Sequence, residues 1–357
     1  MSPPGEWCQT VVMHHLTYSE EELLSSIPYD EPLTANGVRC HGGFVGGAYR
    51  SPRTAGRGPA IAAWQAQLAA RGTPLLAIAP ALVPPHYPSA AQAALLLREG
   101  VREPLVRTLT TIAIIEGFGA MIRDQRVPDL TRCVREPLDG TAAGHLATGL
   151  FEAHARDEAG FRSEGGHKQM WEAARDLALA SPPVPPDVLM RLMTGRRAGS
   201  RQRLFPQLDG AFEELLAVMV NVLVIEVFAA DTFGWAEMVL GDPEVSARPR
   251  EAAAMVGYIR SDETPHVEYL RTALSELRAC TLLGARGEAL AGGEVIDGLL
   301  ARTLHVLTNQ RPRLQREETR ADIAAAVAGH RDAAGLQKRF DALEEEWSPP
   351  AHTNRYS

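Results

Sequence analysis

Two short motifs carry most of the chemistry legible in this sequence. Glu164-Gly-Gly-His167 and Glu263-Thr-Pro-His266 each set a glutamate three residues before a histidine. On a helix, side chains at i and i+3 share a face, so each motif would offer a carboxylate and an imidazole to one metal ion. A single motif is weak evidence, because 29 glutamates and 11 histidines in 357 residues give about 0.9 such matches by chance. Two other glutamates sharpen the signal. Glu116 lies within Thr111-Ile-Ala-Ile-Ile-Glu-Gly-Phe-Gly-Ala-Met-Ile122, and Glu226 within Val222-Leu-Val-Ile-Glu-Val-Phe-Ala-Ala230. Helices apolar on nearly every side are buried, and an ionised carboxylate buried there costs several kcal/mol unless paired or metal-bound. Taken singly, each glutamate is served as well by a buried arginine or by a neutral carboxyl, and each histidine by a structural hydrogen bond. Together they run in the order Glu, E-x-x-H, Glu, E-x-x-H. Four carboxylates and two imidazoles match two metal ions with bridging glutamates.

This ordered set resembles the ferritin-like di-iron carboxylate superfamily over about residues 101–275. That superfamily includes bacterial multicomponent monooxygenase hydroxylases, acyl-carrier-protein desaturases, ribonucleotide reductase small subunits, aromatic-amine N-oxygenases, rubrerythrins and ferritins. The resemblance implies Glu116, Glu164, His167, Glu226, Glu263 and His266 as metal ligands, with Glu116 and Glu226 as the catalytic carboxylates. It also makes Asp262 a hydrogen-bond partner of a ligand histidine. The interval of 37 residues from Glu226 to Glu263 is family-like, whereas 48 from Glu116 to Glu164 is long, and Ser163 replaces the expected aspartate. Asp157-Glu158 opens a similar motif, but Phe161 stands where a histidine would. Intact spacing favours Glu164 with His167. Glu158 with His167, or His154 with Glu158 at i+4, stay open as ligands of that half. Gly165 and Gly166 imply a helix weakened at the metal, and Pro265 predicts a kink or a break before His266.

The implied cofactor is two iron ions, with manganese as the alternative, and the implied activity is a dioxygen-dependent oxidase or oxygenase. Its substrate would be a small organic molecule, free or carrier-bound, undergoing hydroxylation, N-oxygenation, desaturation or oxidative cleavage. Neither a G-x-G-x-x-G after a strand nor a P-loop is present, so electrons would come from an external donor or from the substrate. The residues Ile112, Ile115, Phe118, Val222, Ile225, Phe228, Met255 and Ile259 are expected to line the site and exclude water. A ferroxidase or manganese catalase-like protein is the second reading. About 100 residues before the first ligand helix and about 80 after the last argue against a compact storage cage. The third is a metal-free helical interaction protein docking through residues 293–340.

The elements that must position these residues read as nearly all-α. Expected helices run over 61–71, 90–99 with Ser89 as cap, 104–125, 140–159, 167–180, 186–194, 211–240, 249–283 and 293–340. The fold expectation is a ferritin-like helical bundle with extra N- and C-terminal helices and an irregular N-terminal arm. Its divisions are 1–100 for arm and accessory helices, 101–285 for the di-metal bundle and 286–357 for C-terminal helices and tail. The Gly-rich stretch 36–58 reads as an irregular arm over the domain or a partner subunit, and as a lid in the sharper alternative. Trp171, Trp235 and Met238 read as core.

A net charge of −8 and pI near 5.8 leave no basic footprint for nucleic acid or anionic membrane. Arg196, Arg197, Arg201 and Arg203 form a short basic patch, read as solvated surface. The cysteines Cys8, Cys40, Cys133 and Cys280 form no C-x-x-C pair, which argues against thiolate metal sites and suits a reducing cytoplasm. The N-terminus has no secretion-signal pattern, and the most apolar stretch, 215–230, is shorter than a bilayer span. The expectation is a cytoplasmic protein, a homodimer being one option, and the Ala- and Arg-rich composition suits a GC-rich bacterial genome and a specialised pathway.

Overall fold

The computed structural model describes residues 16–195 and 202–344. Helix accounts for 63% of residues and strand for 9%, so the chain is mostly helical. After α1 (Glu20–Leu23) come β1 (Glu31–Ala35), β2 (Val38–Val45) and β3 (Ala48–Arg50), an antiparallel sheet in that order. Then follow α2 (Thr54–Ala70), α3 (Ala90–Arg98), α4 (Glu103–Gly119), α5 (Phe151–Ala159), α6 (His167–Leu179) and α7 (Val188–Gly195). The two longest helices are α8 (Gly210–Leu240) and α9 (Pro249–Ala279). A β4–β5 hairpin (Thr281–Leu283 with Ala289–Ala291) leads to α10 (Gly292–His305), α11 (Arg311–Val327) and α12 (Ala333–Asp341).

Local chemistry explains the principal boundaries. Ser89 and Gln92 form a reciprocal capping box at α3, and the Asp209 carboxylate accepts from the amides of Ala211 and Phe212 to start α8. Pro249 opens α9 at a first-turn position, where its missing N–H costs nothing. The helix then runs through Pro265 without the expected break.

The stretch 36–58 is not irregular. Asn36-Gly37 and Gly46-Gly47 all have positive φ, from 49° to 78°, as two-residue hairpin turns of mirror-image type require. β2 buries four successive residues, Cys40 to Gly43, which hides the alternation that would have marked a strand. The sheet lies over the bundle, and β2 pairs with the α5–α6 connection through Cys40 and Gly165. The amide of Gly165 donates to Arg39 O at 2.8 Å and that of His41 to Gly165 O at 3.3 Å.

α4 lies along α6, α6 along α9, and α9 along α8, while α4 and α8 scarcely touch. Two apolar cores fill this bundle, and a polar layer lies between them. Along α8, Phe212 to Val224 belong to one core and Phe233 to Leu240 to the other, with Glu226 between. Along α9, Ala252 to Ile259 and Tyr269 to Leu277 flank Asp262, Glu263 and His266 in the same way. Trp171 and Trp235 are core as expected, but Met238 is 63% exposed. At 31 residues α8 is long and apolar enough to cross a membrane by length and composition, as is Glu103–Asp124, so the shorter apolar stretch read from the sequence understated it. Both carry a glutamate in mid-span. Arg203 pairs with Glu213 at 2.7 Å, whereas Arg196, Arg197 and Arg201 lie outside the described residues.

The α5–α6 connection depends on glycine. Gly160 ends α5 at φ +79°, and a Cβ there would meet Glu164 O at 2.2 Å; a Cβ on Gly166 would meet Gly160 N at 2.4 Å. Gly160→Ala should therefore destabilise the fold by about 1–3 kcal/mol, the range for forced overpacking and left-handed strain. Urea unfolding checks this, and a change under 0.5 kcal/mol, the range of an ordinary surface substitution, would contradict it.

Candidate metal centre

Seven side chains from five helices converge in the polar layer. Glu116 comes from α4, His154 and Glu158 from α5, His167 from the first turn of α6, Glu226 from α8, and Glu263 and His266 from α9. Glu116, Glu158, His167 and Glu263 bring one ligand atom each within 4.8 Å of one another, and so do His154, Glu158, Glu226 and His266. Glu158 belongs to both groups. Glu263 reaches both as well, with Oε1 at 2.8 Å from His167 Nδ1 and Oε2 at 2.6 Å from His266 Nδ1. The arrangement has two carboxylates in the middle, a Glu116–His167 end and a Glu226–His154–His266 end.

Glu164 is not brought to this cluster. It sits on the glycine-built connection with its side chain 38% exposed, 3.3 Å from Arg39. The E-x-x-H spacing fails there because residues 164–166 are not helical. His167 is instead the first residue of α6, and Glu158 in the last turn of α5 stands where the motif's glutamate would. Gly165 and Gly166 do not weaken a helix at the centre; they let the chain double back so that α5 and α6 meet there. His154, one turn before Glu158, adds a third imidazole to the expected two.

Each histidine faces the cluster with one ring nitrogen, and His154 and His266 are held by a hydrogen bond through the other. His266 Nε2 lies 2.9 Å from Asp157, which Arg53 and Arg57 also grip from the start of α2. His167 Nε2 lies 3.6 Å from Asp262, to which the Tyr49 hydroxyl donates at 2.8 Å. His154 Nδ1 meets the Tyr269 hydroxyl at 3.1 Å. The arrangement crosses over: the aspartate beside Glu158 holds the histidine of α9, and the aspartate beside Glu263 faces the histidine of α6 at 3.6 Å. Such outer partners fix ring orientation and raise ligand basicity. Asp262 points its carboxylate toward His167, but at 3.6 Å the expected hydrogen bond is not made. Arg53, Arg57, Tyr49, Tyr269 and Asp157 escaped the sequence reading, although the repeated Asp-Glu doublet at 157–158 and 262–263 was a signal for the last.

Charge is the less comfortable part of this arrangement. Among the described residues, Glu116, Glu158, Glu226, Glu263, Asp157 and Asp262 face two buried guanidinium groups, Arg53 and Arg57. Four negative charges are left over, the charge of two divalent cations. Without cations, protons must serve. Burial pushes Glu158 well above the usual carboxylate range, and it does the same to Glu263, with the Glu158 charge adding. Burial opposes charge on His167, yet Glu263 and Glu158 hold that ring well above its usual value. Burial also raises Glu226, but His154, with its Nε2 3.4 Å away, acts together with His266 and Glu263 to hold it at about 2. Burial lowers His266 to about 3. His154 Nε2 and Glu158 Oε1 are buried without a hydrogen-bond partner, His167 Nδ1 and Glu263 Oε1 are 2.8 Å apart but not aligned for a hydrogen bond, and all four point into the cluster. Unsatisfied buried donors and acceptors of this kind ask for an ion. The donor set, carboxylate oxygen with imidazole nitrogen, fits iron, manganese or zinc.

No protein-family model, curated protein or solved structure matches the chain.

Two expectations follow. A Cβ on Gly119 would lie 2.6 Å from Glu158 Cγ and 2.8 Å from its Cδ. Gly119→Ala should weaken metal binding about 10–100-fold with the fold kept, Glu158→Gln should weaken it at least as much, and Glu164→Gln should leave it unchanged; titration calorimetry ranks the three. The second concerns pH. Carboxyls whose native values are raised hold their protons more tightly folded than unfolded, so they stabilise the metal-free protein at low pH and lose that contribution as pH rises through the raised values. Cations replace those protons. The gain in melting temperature on adding divalent metal should grow from acid to neutral pH, and a gain that shrinks would contradict the assignment.

Proposed function

We propose that the chain is a non-haem di-iron oxidoreductase of the ferritin-like class, using dioxygen on a small, largely apolar organic substrate. The observation that carries this reading is the excess of four buried carboxylate charges around seven converging ligands, three of them histidines oriented from behind. Glu116 and His167 would hold one iron and Glu226, His154 and His266 the other, with Glu158 and Glu263 within reach of both. Two ferrous ions held there would supply dioxygen binding and reduction. The protein is a cytoplasmic enzyme on this reading, drawing electrons from an external donor or from the substrate.

Access is set by the helices that do not meet. Glu116 and Glu226 are the least enclosed of the ligand carboxylates, with side chains 13% and 11% exposed. They sit on the facing edges of α4 and α8, among half-buried Ile112, Phe118, Val222, Ile225 and Phe228. Of the lining expected from the sequence, Met255 and Ile259 are core residues and Ile115 is 47% exposed. A substrate entering between α4 and α8 would meet apolar walls and reach the two glutamates first. Apolar walls favour desolvated, weakly polar substrates. Glu116 and Glu226 are therefore the carboxylates placed to contact substrate or move a proton beside it.

Anaerobic loading with ferrous iron followed by air tests the reading. Retention of about two irons per chain, as the donor set allows, with the absorption of an oxidised carboxylate-bridged centre, is the expected result. Loss of the iron on desalting would contradict it. The same samples separate the manganese reading, in which manganese is retained and only hydrogen peroxide is turned over. Replacing Glu116 and Glu226 together with glutamine should lower metal retention; a metal-free interaction protein would be unaffected or stabilised.

A further inference from the structure

A second cluster of buried donors lies behind His167, on the side of the ring away from the centre. His41 on β2, its side chain 2% exposed, places Nε2 3.7 Å from Asp262 Oδ2, and His167 Nε2 lies 3.6 Å from the same oxygen. The two imidazole rings meet edge-on, with centroids 5.7 Å apart and planes at 64°. One ligand atom from each of the three side chains falls within 4.8 Å of the others. Among the described residues, both ring nitrogens of His41, Nε2 of His167 and Oδ1 of Asp262 are buried with no hydrogen-bond partner. Four such atoms in one place are rare in a protein interior. The 3.6 and 3.7 Å separations are too long for hydrogen bonds. They are near the edge of about 3.3 Å that tetrahedral ligands make around zinc at about 2.0–2.1 Å. The Tyr49 hydroxyl donates to Asp262 Oδ2 at 2.8 Å and steadies that carboxylate. The di-metal assignment makes no use of His41.

We propose that His41, His167 and Asp262 form a separate mononuclear site for a four-coordinate cation of the zinc type. Two imidazoles and one carboxylate are a zinc donor set, with the fourth position left to water. The site shares His167 with the Glu116 end of the centre: Nδ1 faces Glu116, Glu158 and Glu263, while Nε2 faces Asp262. A neutral imidazole has one ring nitrogen free to bind a metal, because the other carries the proton. A cation on Nε2 therefore excludes one on Nδ1, and the two positions are alternatives. The exclusion, though not the site itself, rests on the reading of the centre as holding a metal at His167. Charge permits either arrangement, since two divalent cations answer the same four surplus carboxylate charges whichever side of His167 one of them takes. The carboxylate-rich inner position suits iron or manganese, and the imidazole-rich outer one suits zinc. Zinc behind His167 would leave the Glu116 end without an imidazole, so the site would act as a zinc-sensitive block on assembly of the metal pair.

Crystals of the full chain soaked in zinc, with anomalous differences measured at the zinc edge, test the site. The expected result is a peak bonded to His41, His167 and Asp262, with none on Nδ1 of the same histidine. A water there without anomalous signal, or zinc confined to the two sides of Glu158, overturns the proposal. Cobalt(II) tests the exclusion in solution, because its four-coordinate form absorbs visible light far more strongly than its five- or six-coordinate forms. Wild type should show that strong absorption. His41→Leu and His41→Phe should lose it yet retain as much cobalt on desalting, because the Glu116 end regains His167. Absorption unchanged in both variants overturns the site, and absorption lost together with bound cobalt overturns the exclusion. Wild type that retains no ferrous iron overturns the reading of the centre, while a zinc peak at His41 would still uphold this site.

Discussion

Six buried or nearly buried carboxylates set against two buried guanidinium groups are the constraint on which the rest of this molecule depends. Like charges at such separations in a low-dielectric interior cannot all ionise without counter-charge. Protons on Glu158, Glu263 and His167 are the makeshift the metal-free protein uses, and divalent cations are the solution the donor set fits. The charge explains why the two apolar cores do not merge: the polar layer between them is built from side chains of α4, α5, α6, α8 and α9.

Orientation comes from outside the bundle. Arg53 and Arg57 reach Asp157 from the start of α2, and Tyr49 reaches Asp262 from the small sheet. β2 also pairs with Gly165, holding the turn that lets α5 and α6 deliver Glu158 and His167 side by side. Residues 31–57 therefore act as the scaffold that aims two of the three histidines, and they are integral to the centre. The third, His154, is aimed from within the bundle by Tyr269.

Much of this was legible in the sequence, unevenly and for physical reasons. Glu116 and Glu226 announced themselves because a carboxylate within an apolar helix needs a partner wherever the helix lies. Glu263 and His266 kept helical spacing, so their shared face was readable despite Pro265. The other half was less legible because the spacing rule does not apply there: Glu164 and His167 satisfy the motif on paper, but Gly160, Gly165 and Gly166 build a tight turn, and Glu158 is the glutamate that meets His167 across it. A turn with that geometry depends on backbone contacts made by residues far apart in the sequence, which no local pattern records. The sheet was missed similarly. Its Asn-Gly and Gly-Gly turns were visible, but the strand between them is covered on both faces and shows no alternation. The arginine and tyrosine anchors act only through tertiary contact, and only the repeated Asp-Glu doublet hinted at them.

Crystallography of metal-soaked protein with anomalous scattering at the metal edge tests the central claim most directly. Two anomalous peaks on either side of the Glu158 carboxylate, one toward His167 and Glu116 and the other toward His154, Glu226 and His266, are what the account predicts. A single peak elsewhere, or no peak with Glu158 and Glu263 hydrogen-bonded to one another as neutral acids, would contradict it.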